Sequence, residues 1–149
     1  MRRKTKKSKK KYFIAAAIVL GFALVGGVAY KSYLHITFSK RAAIELNVKD
    51  ESINGMAASS GGTFTTADYS PEDGNTIALN IHLADGVTLS DPAALDKKYA
   101  GDTGKELVKQ TKAIIGDDMR RSFVGKAVLE LKFIDHDGAT AYLYRVDIK

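Results

Sequence analysis

Residues 77–83, IALNIHL, alternate strictly between two kinds of side chain. Every odd-numbered position is isoleucine or leucine, and the even-numbered positions are alanine, asparagine and histidine. Because successive side chains of a β-strand point to opposite faces, this pattern predicts a strand with one buried face. Asp85-Gly86 follows, and this pair is typical of a turn. The sequence therefore predicts a strand at 77–83, and its pattern is the clearest of any strand in the chain.

Toward the C-terminus, the sequence predicts a β-hairpin. Apolar residues alternate through 127–133 and again through 142–148, with the turn-forming sequence DHDG between them at 135–138. Gly138 can adopt the positive φ that tight hairpin turns require. We interpret the aromatic residues on the apolar face of the two runs as core rather than as an exposed contact patch: Phe133, Tyr142 and Tyr144.

Between these strands, the sequence predicts a helix that begins at Asp91-Pro92. Aspartate accepts hydrogen bonds from the free amides of a first helical turn, and proline has no amide hydrogen to leave unpaired there. Apolar residues recur at helical spacing through 95–115, and Gly116 is a suitable end. Glycines at 101 and 104 interrupt this pattern, so the helix is either continuous or broken near them.

N-terminal to the strand at 77–83, the pattern is weaker. Residues 44–48, IELNV, alternate and are interpreted as a first strand. Residues 50–75 lose periodicity, with a short edge strand expected near 63–69. The fold class that follows is α+β: an antiparallel sheet of four to five strands packed by one helix, in a domain that spans 42–149.

The N-terminal segment predicts a membrane anchor. Residues 13–30, FIAAAIVLGFALVGGVAY, contain no charge, and as a helix they would span about 27 Å, close to the hydrocarbon thickness of a bilayer. Eight basic residues precede this run, and the excess of positive charge places residues 1–12 in the cytoplasm as a basic tail. Residues 31–41 then form a stalk, and the C-terminal domain lies outside the cell membrane.

A cleaved signal sequence is the alternative for the same segment. Gly27-Val28-Ala29 provides small residues at a suitable cleavage position, so cleavage near Ala29 would release a secreted soluble factor. The apolar run is longer than the usual signal-peptide core, which favours the uncleaved anchor.

Composition excludes several classes of function. The chain of 149 residues has a net charge of +6, but the domain after residue 30 carries 15 basic and 17 acidic residues, so we expect no nucleic-acid partner. Without cysteine there is no disulfide, zinc–thiolate site or thiol catalyst, and this is compatible with an extracytoplasmic bacterial domain.

No motif in the sequence specifies a reaction. Asp135-His136-Asp137 contains metal-ligand residue types, and a small metal-dependent hydrolase built on it is one alternative, but the position favours a structural turn. Glu72-Asp73 and Asp117-Asp118 are interpreted as solvated loop acids. Ser59-Ser60-Gly61-Gly62 lacks the setting of a nucleophile elbow. We assign no catalytic, cofactor-binding or metal-binding residue and expect no cofactor.

These absences and the anchor together predict a function. We expect a single-pass membrane protein whose noncatalytic extracytoplasmic domain binds a protein partner, as an accessory subunit of an envelope or transport assembly. The sheet edge and the segment 50–75 are the expected contact surfaces, since unpaired edges and loops bind partners without catalytic groups.

Overall fold

The computed structural model describes residues 26–30, 32–33, 37–121 and 125–148. The chain divides into two compact units, Met1–Leu34 and His35–Lys149. In the first unit, residues 26–30 are helical, whereas the basic tail and the rest of the predicted membrane segment lie outside the described residues. Within the described ranges, no helix is both long enough and apolar enough to cross a membrane.

The described part of the second unit forms four helices and four strands, an α+β architecture. In chain order they are α1 (Phe38–Lys49), α2 (Glu51–Ser59), β1 (Phe64–Pro71), β2 (Thr76–Leu83), α3 (Pro92–Ala100), α4 (Asp102–Arg121), β3 (Val128–Ile134) and β4 (Thr140–Asp147).

The four strands form one mixed sheet in the order β1-β2-β3-β4. The two outer pairs are antiparallel, but the central strands β2 and β3 run parallel, with Leu79 opposite Leu131. The expected all-antiparallel sheet is therefore wrong. The reason is the connection: α3 and α4 carry the chain back to the starting end of β2, so that β3 must run in the same direction.

The face predicted for the central strand is confirmed. Its isoleucines and leucines at 77, 79, 81 and 83 are almost completely buried, and Leu129, Leu131 and Phe133 of β3 extend the same surface. We call this the helix-side face, because side chains from all four helices pack against the core that it supplies. The opposite, outer face carries polar residues such as Asn80 and Lys132.

The interpretation of residues 44–48 as a first strand is wrong, because they belong to α1. Phe38, Ala42 and Leu46, spaced four residues apart, are fully buried and form the true apolar stripe. Ile44 and Val48, which created the apparent alternation, are 65% and 74% exposed. The expectation of a single helix is also incomplete, since α1 and α2 are both helical.

The structure also tests the sequence signals for the start and end of the later helices and for the hairpin turn, and it confirms the start at Asp91-Pro92. The Asp91 carboxylate accepts a hydrogen bond from the Ala94 amide at 3.1 Å, with Pro92 as the first residue of α3. Of the two alternatives for this region, the structure has the broken helix, with the break at Gly101 between α3 and α4. At Gly116, the expected end of the helix, φ is 70° and α4 is kinked, but helical structure resumes and continues to Arg121. The positive φ of Gly138, 83°, allows the β3–β4 turn to close.

Candidate functional site

A cleft of about 450 Å³ lies between α2, α4 and the helix-side face of the sheet. Its floor consists of Leu79 and Ile81 of β2 and Leu131 of β3. Apolar side chains also form much of the walls: Ile53 and Met56 from α2, Tyr99 from α3 and Leu107 from α4. The cleft thus has an apolar interior whose floor lies on the two central strands of the sheet.

Asp50 places a carboxylate in the wall of this cleft. It is the N-terminal cap of α2, where its Oδ1 atom accepts hydrogen bonds from the Ser52 amide at 3.0 Å and the Ser52 hydroxyl at 2.5 Å. The residue is only 8% exposed. The positive end of the α2 dipole stabilises this buried negative charge.

Tyr69 of β1 binds the other oxygen of the same carboxylate. Its hydroxyl donates to Asp50 Oδ2 at 2.7 Å. Burial raises the pKa of Tyr69 strongly, the hydrogen bond and charge of Asp50 raise it further, and a hydrogen bond with Thr111 opposes these effects. Tyr69 is therefore a neutral donor at physiological pH.

The side-chain amide of Asn47 holds the backbone of Tyr69 in place. Asn47 Nδ2 donates to the Tyr69 carbonyl at 2.6 Å, and its Oδ1 accepts from the Tyr69 amide at 2.8 Å. These backbone groups belong to the outer edge of β1, so α1 occupies that edge. Pro71, two residues further along the same strand, has no amide hydrogen to offer.

The opposite rim of the cleft is polar and belongs to α4. Thr103, Glu106 and Gln110 are exposed there, and Gln110 donates to Glu106 at 3.3 Å. Lys109 forms an ion pair with Glu106 at 3.5 Å. Both members of this pair are exposed, so it contributes little to stability.

An aromatic cluster borders the cleft around Tyr99. Its ring centroid lies 5.6 Å from that of Tyr144, 6.3 Å from that of Tyr142 and 6.5 Å from that of Phe133. The interpretation of the hairpin aromatics as core residues is confirmed for Phe133 and Tyr142, which are buried, whereas Tyr144 is half-buried and packs against the core. Tyr142 also donates to Asp96 at 2.9 Å.

The residues of the alternative hydrolase site form a turn. Asp135 accepts hydrogen bonds from the backbone amides of Asp137 and Ala139, at 3.1 and 2.8 Å. His136 lies 3.0 Å from Asp137, and both are exposed. In the described part of the chain, no group of three or more histidine, cysteine or acidic residues could hold a metal ion.

The remaining histidines and acidic pairs that the sequence analysis considered do not come together in one site within the described residues. His82 lies 3.3 Å from Asp68 on the outer face of the sheet, and His35 is outside the described residues. Asp117 pairs with Arg120 at the end of α4. Glu72 is more than a solvated loop acid, because it binds Lys132 at 2.6 Å.

Charged residues also cross the outer face as a chain of ion pairs. Lys132 bridges Glu72 and Glu130, and Arg145 of β4 binds the other oxygen of Glu130 at 2.7 Å. Burial of the Lys132 amine by itself lowers its pKa. The hydrogen bonds and negative charges of Glu72 and Glu130 outweigh this effect of burial, so the pKa of Lys132 is raised. This surface is internally neutralised, unlike the cleft.

Replacing Tyr69 by phenylalanine should destabilise the domain by about 1–2 kcal/mol at pH 7, because a buried carboxylate loses a hydrogen-bond donor. Because folding raises the pKa of Tyr69, this residue contributes its full stability to the folded state below pH 10, its ordinary pKa. The contribution decreases progressively as the pH rises above 10. The deficit of Y69F should therefore shrink in alkali, which urea unfolding at pH 7 and pH 11 measures. A deficit that is equal at both pH values would contradict the Tyr69–Asp50 hydrogen bond.

Comparison with known protein families, with curated proteins and with solved structures found no match to this chain.

Proposed function

We propose that this protein is a membrane-anchored binding protein whose extracytoplasmic domain holds part of a protein partner in the cleft, without catalysing a reaction. The observation that carries this proposal is the cleft of about 450 Å³ with its apolar floor and polar rim. Sites that bind ligands are typically concave and largely apolar, have volumes of this order and carry a few fixed polar groups.

The contacts that hold the lining of the cleft in place support a binding role. Its floor lies on the two central strands, and its buried carboxylate, Asp50, is held by Ser52 and Tyr69. A site that is formed before its ligand arrives loses less conformational entropy on binding.

The membrane anchor is the second part of the proposal. It rests on the uncharged run at 13–30 and on the eight basic residues before it. This arrangement would tether the domain to the outer side of the membrane, as suits an accessory subunit of an envelope or transport assembly. Protease treatment of intact cells tests it: a C-terminal tag should be cleaved without lysis, and protection of the tag would contradict the orientation.

Site-specific photo-crosslinking in intact cells tests the cleft. A photoreactive amino acid is placed at Thr103 or Gln110, which line the rim, and at Asp102 or Lys105 as controls on the same helix outside the cleft. We expect the same protein adduct from both rim positions and none from the controls. No adduct, or equal adducts from all four positions, would contradict the proposal.

A further inference from the structure

We infer that the cleft recognises a short segment of the partner protein in which an apolar side chain adjoins a lysine or arginine. This inference rests on the proposed function and specifies the chemistry of the partner. It follows from three features of the cleft: the sign of its charges, the character of its floor and the length of its rim.

The charges of the cleft are all of one sign. Asp50 and Glu106 both line it, and none of the other described lining residues is lysine, arginine or histidine. Among the described residues, Asp50 forms no ion pair: its three hydrogen-bond donors are the neutral groups of Ser52 and Tyr69. A buried carboxylate without a cationic partner favours a positive ligand group and disfavours an anionic one.

Glu106 offers a second acceptor at the mouth of the cleft. Its cationic neighbour, Lys109, is 3.5 Å away, with 79% of its side chain exposed, and such a pair is easily displaced. An incoming cation can therefore replace Lys109 at Glu106 while its apolar neighbour fills the space above Leu79, Ile81 and Leu131.

The length of the rim suits an extended peptide. Thr103 and Gln110 are seven residues apart on one helix, which corresponds to about 10 Å, or about three residues of an extended chain. Along this part of the rim lie the hydroxyl group of Thr103, the carboxylate of Glu106 and the amide of Gln110. They provide both donors and acceptors for the backbone of a bound segment.

Selection from a library of random heptapeptides tests this inference. The full chain is reconstituted in lipid nanodiscs, and peptides displayed on phage are first depleted on empty nanodiscs. We expect the retained peptides to be enriched in lysine or arginine next to an aromatic or branched aliphatic residue. Enrichment of acidic or uncharged peptides, or no enrichment, would overturn the inference.

The affinities of three variants for the selected peptides then test whether the peptides bind at the cleft. Glu106→Gln removes one cleft charge with little change of shape and should weaken the selected peptides about three- to tenfold. Lys109→Gln removes the competing cation and should tighten them. Asp102→Asn, at a fully exposed acid on the same helix, should change binding less than about twofold. Equal effects of Glu106→Gln and Asp102→Asn would also overturn the inference.

The outcomes separate this inference from the proposed function. Rim-specific crosslinks in cells together with anionic or neutral selected peptides would leave the cleft as the binding site and remove only its preference for cations. The absence of both crosslinks and selected peptides would remove the proposed function as well.

Discussion

Alanine at position 104 should destabilise the domain by about 3 kcal/mol, because its Cβ atom would overlap backbone atoms of α3. A Cβ atom on Gly104 overlaps the carbonyl oxygen of Tyr99 and lies 2.9 Å from its carbonyl carbon and 3.1 Å from the Tyr144 hydroxyl. The first turn of α4 would have to shift away from α3, and the Tyr99 wall of the cleft would shift with it. Urea unfolding of the solubilised chain, followed by tyrosine circular dichroism in the near ultraviolet, measures the loss.

Gly101 provides the matched control, three residues earlier in the same junction. A Cβ there meets the carbonyl oxygens of Lys97 and Lys98 at 3.5 and 3.6 Å, an ordinary contact, and its φ of −90° is not in the left-handed region that favours glycine. Gly101→Ala should therefore change the free energy of unfolding by less than about 1 kcal/mol. If the two variants are equally stable, the close approach of α4 to Tyr99 is wrong.

The second large effect is expected at Phe38. Its side chain is fully buried at the start of α1, so Phe38→Ala should cost about 3–5 kcal/mol through lost apolar contact and the cavity left behind. This is a substantial fraction of the 5–15 kcal/mol that stabilises a typical domain. The midpoint of urea unfolding measures it.

Ile44→Ala is the control for this variant. Ile44 lies on the same helix but is 65% exposed, and its truncation should cost less than about 0.5 kcal/mol. A loss at position 44 as large as that at position 38 would mean that the other face of α1 is buried.

Phe38 and Ile44 also show why the N-terminal part of the domain was difficult to predict. A helical stripe requires apolar residues three or four positions apart, and here two of its members are alanines that carry little hydrophobic signal: Ala42 and Ala43. Ile44 and Val48 are larger but exposed, so the stronger signal came from residues outside the core. Residues 38–41, which the sequence placed in a stalk, form the first turn of this buried helix.

The later elements were easier to predict because their signals are local. The strand at 77–83, the cap at Asp91, the break at Gly101 and the turn at Gly138 each depend on a few adjacent residues. The parallel pairing of β2 and β3 depends instead on the path of α3 and α4, which no short pattern encodes.

The cleft was not predicted for a related reason. Its carboxylates lie more than 50 residues apart, and Asp50 falls in a segment without apolar periodicity. One local signal was available: Asp50 precedes Glu51 and Ser52, a combination that is typical of the start of a helix. Identifying α2 from that cap would have placed Asp50 on a helix that packs against the sheet.

Asn47 also affects how the domain can aggregate. A β-sheet grows into a fibre only if each added molecule presents a fresh strand on its far side. In the described sheet, α1 and Pro71 obstruct the far side of β1. Two molecules that joined along β4 would leave only obstructed strands at both ends, so that the addition would terminate at a pair instead of propagating.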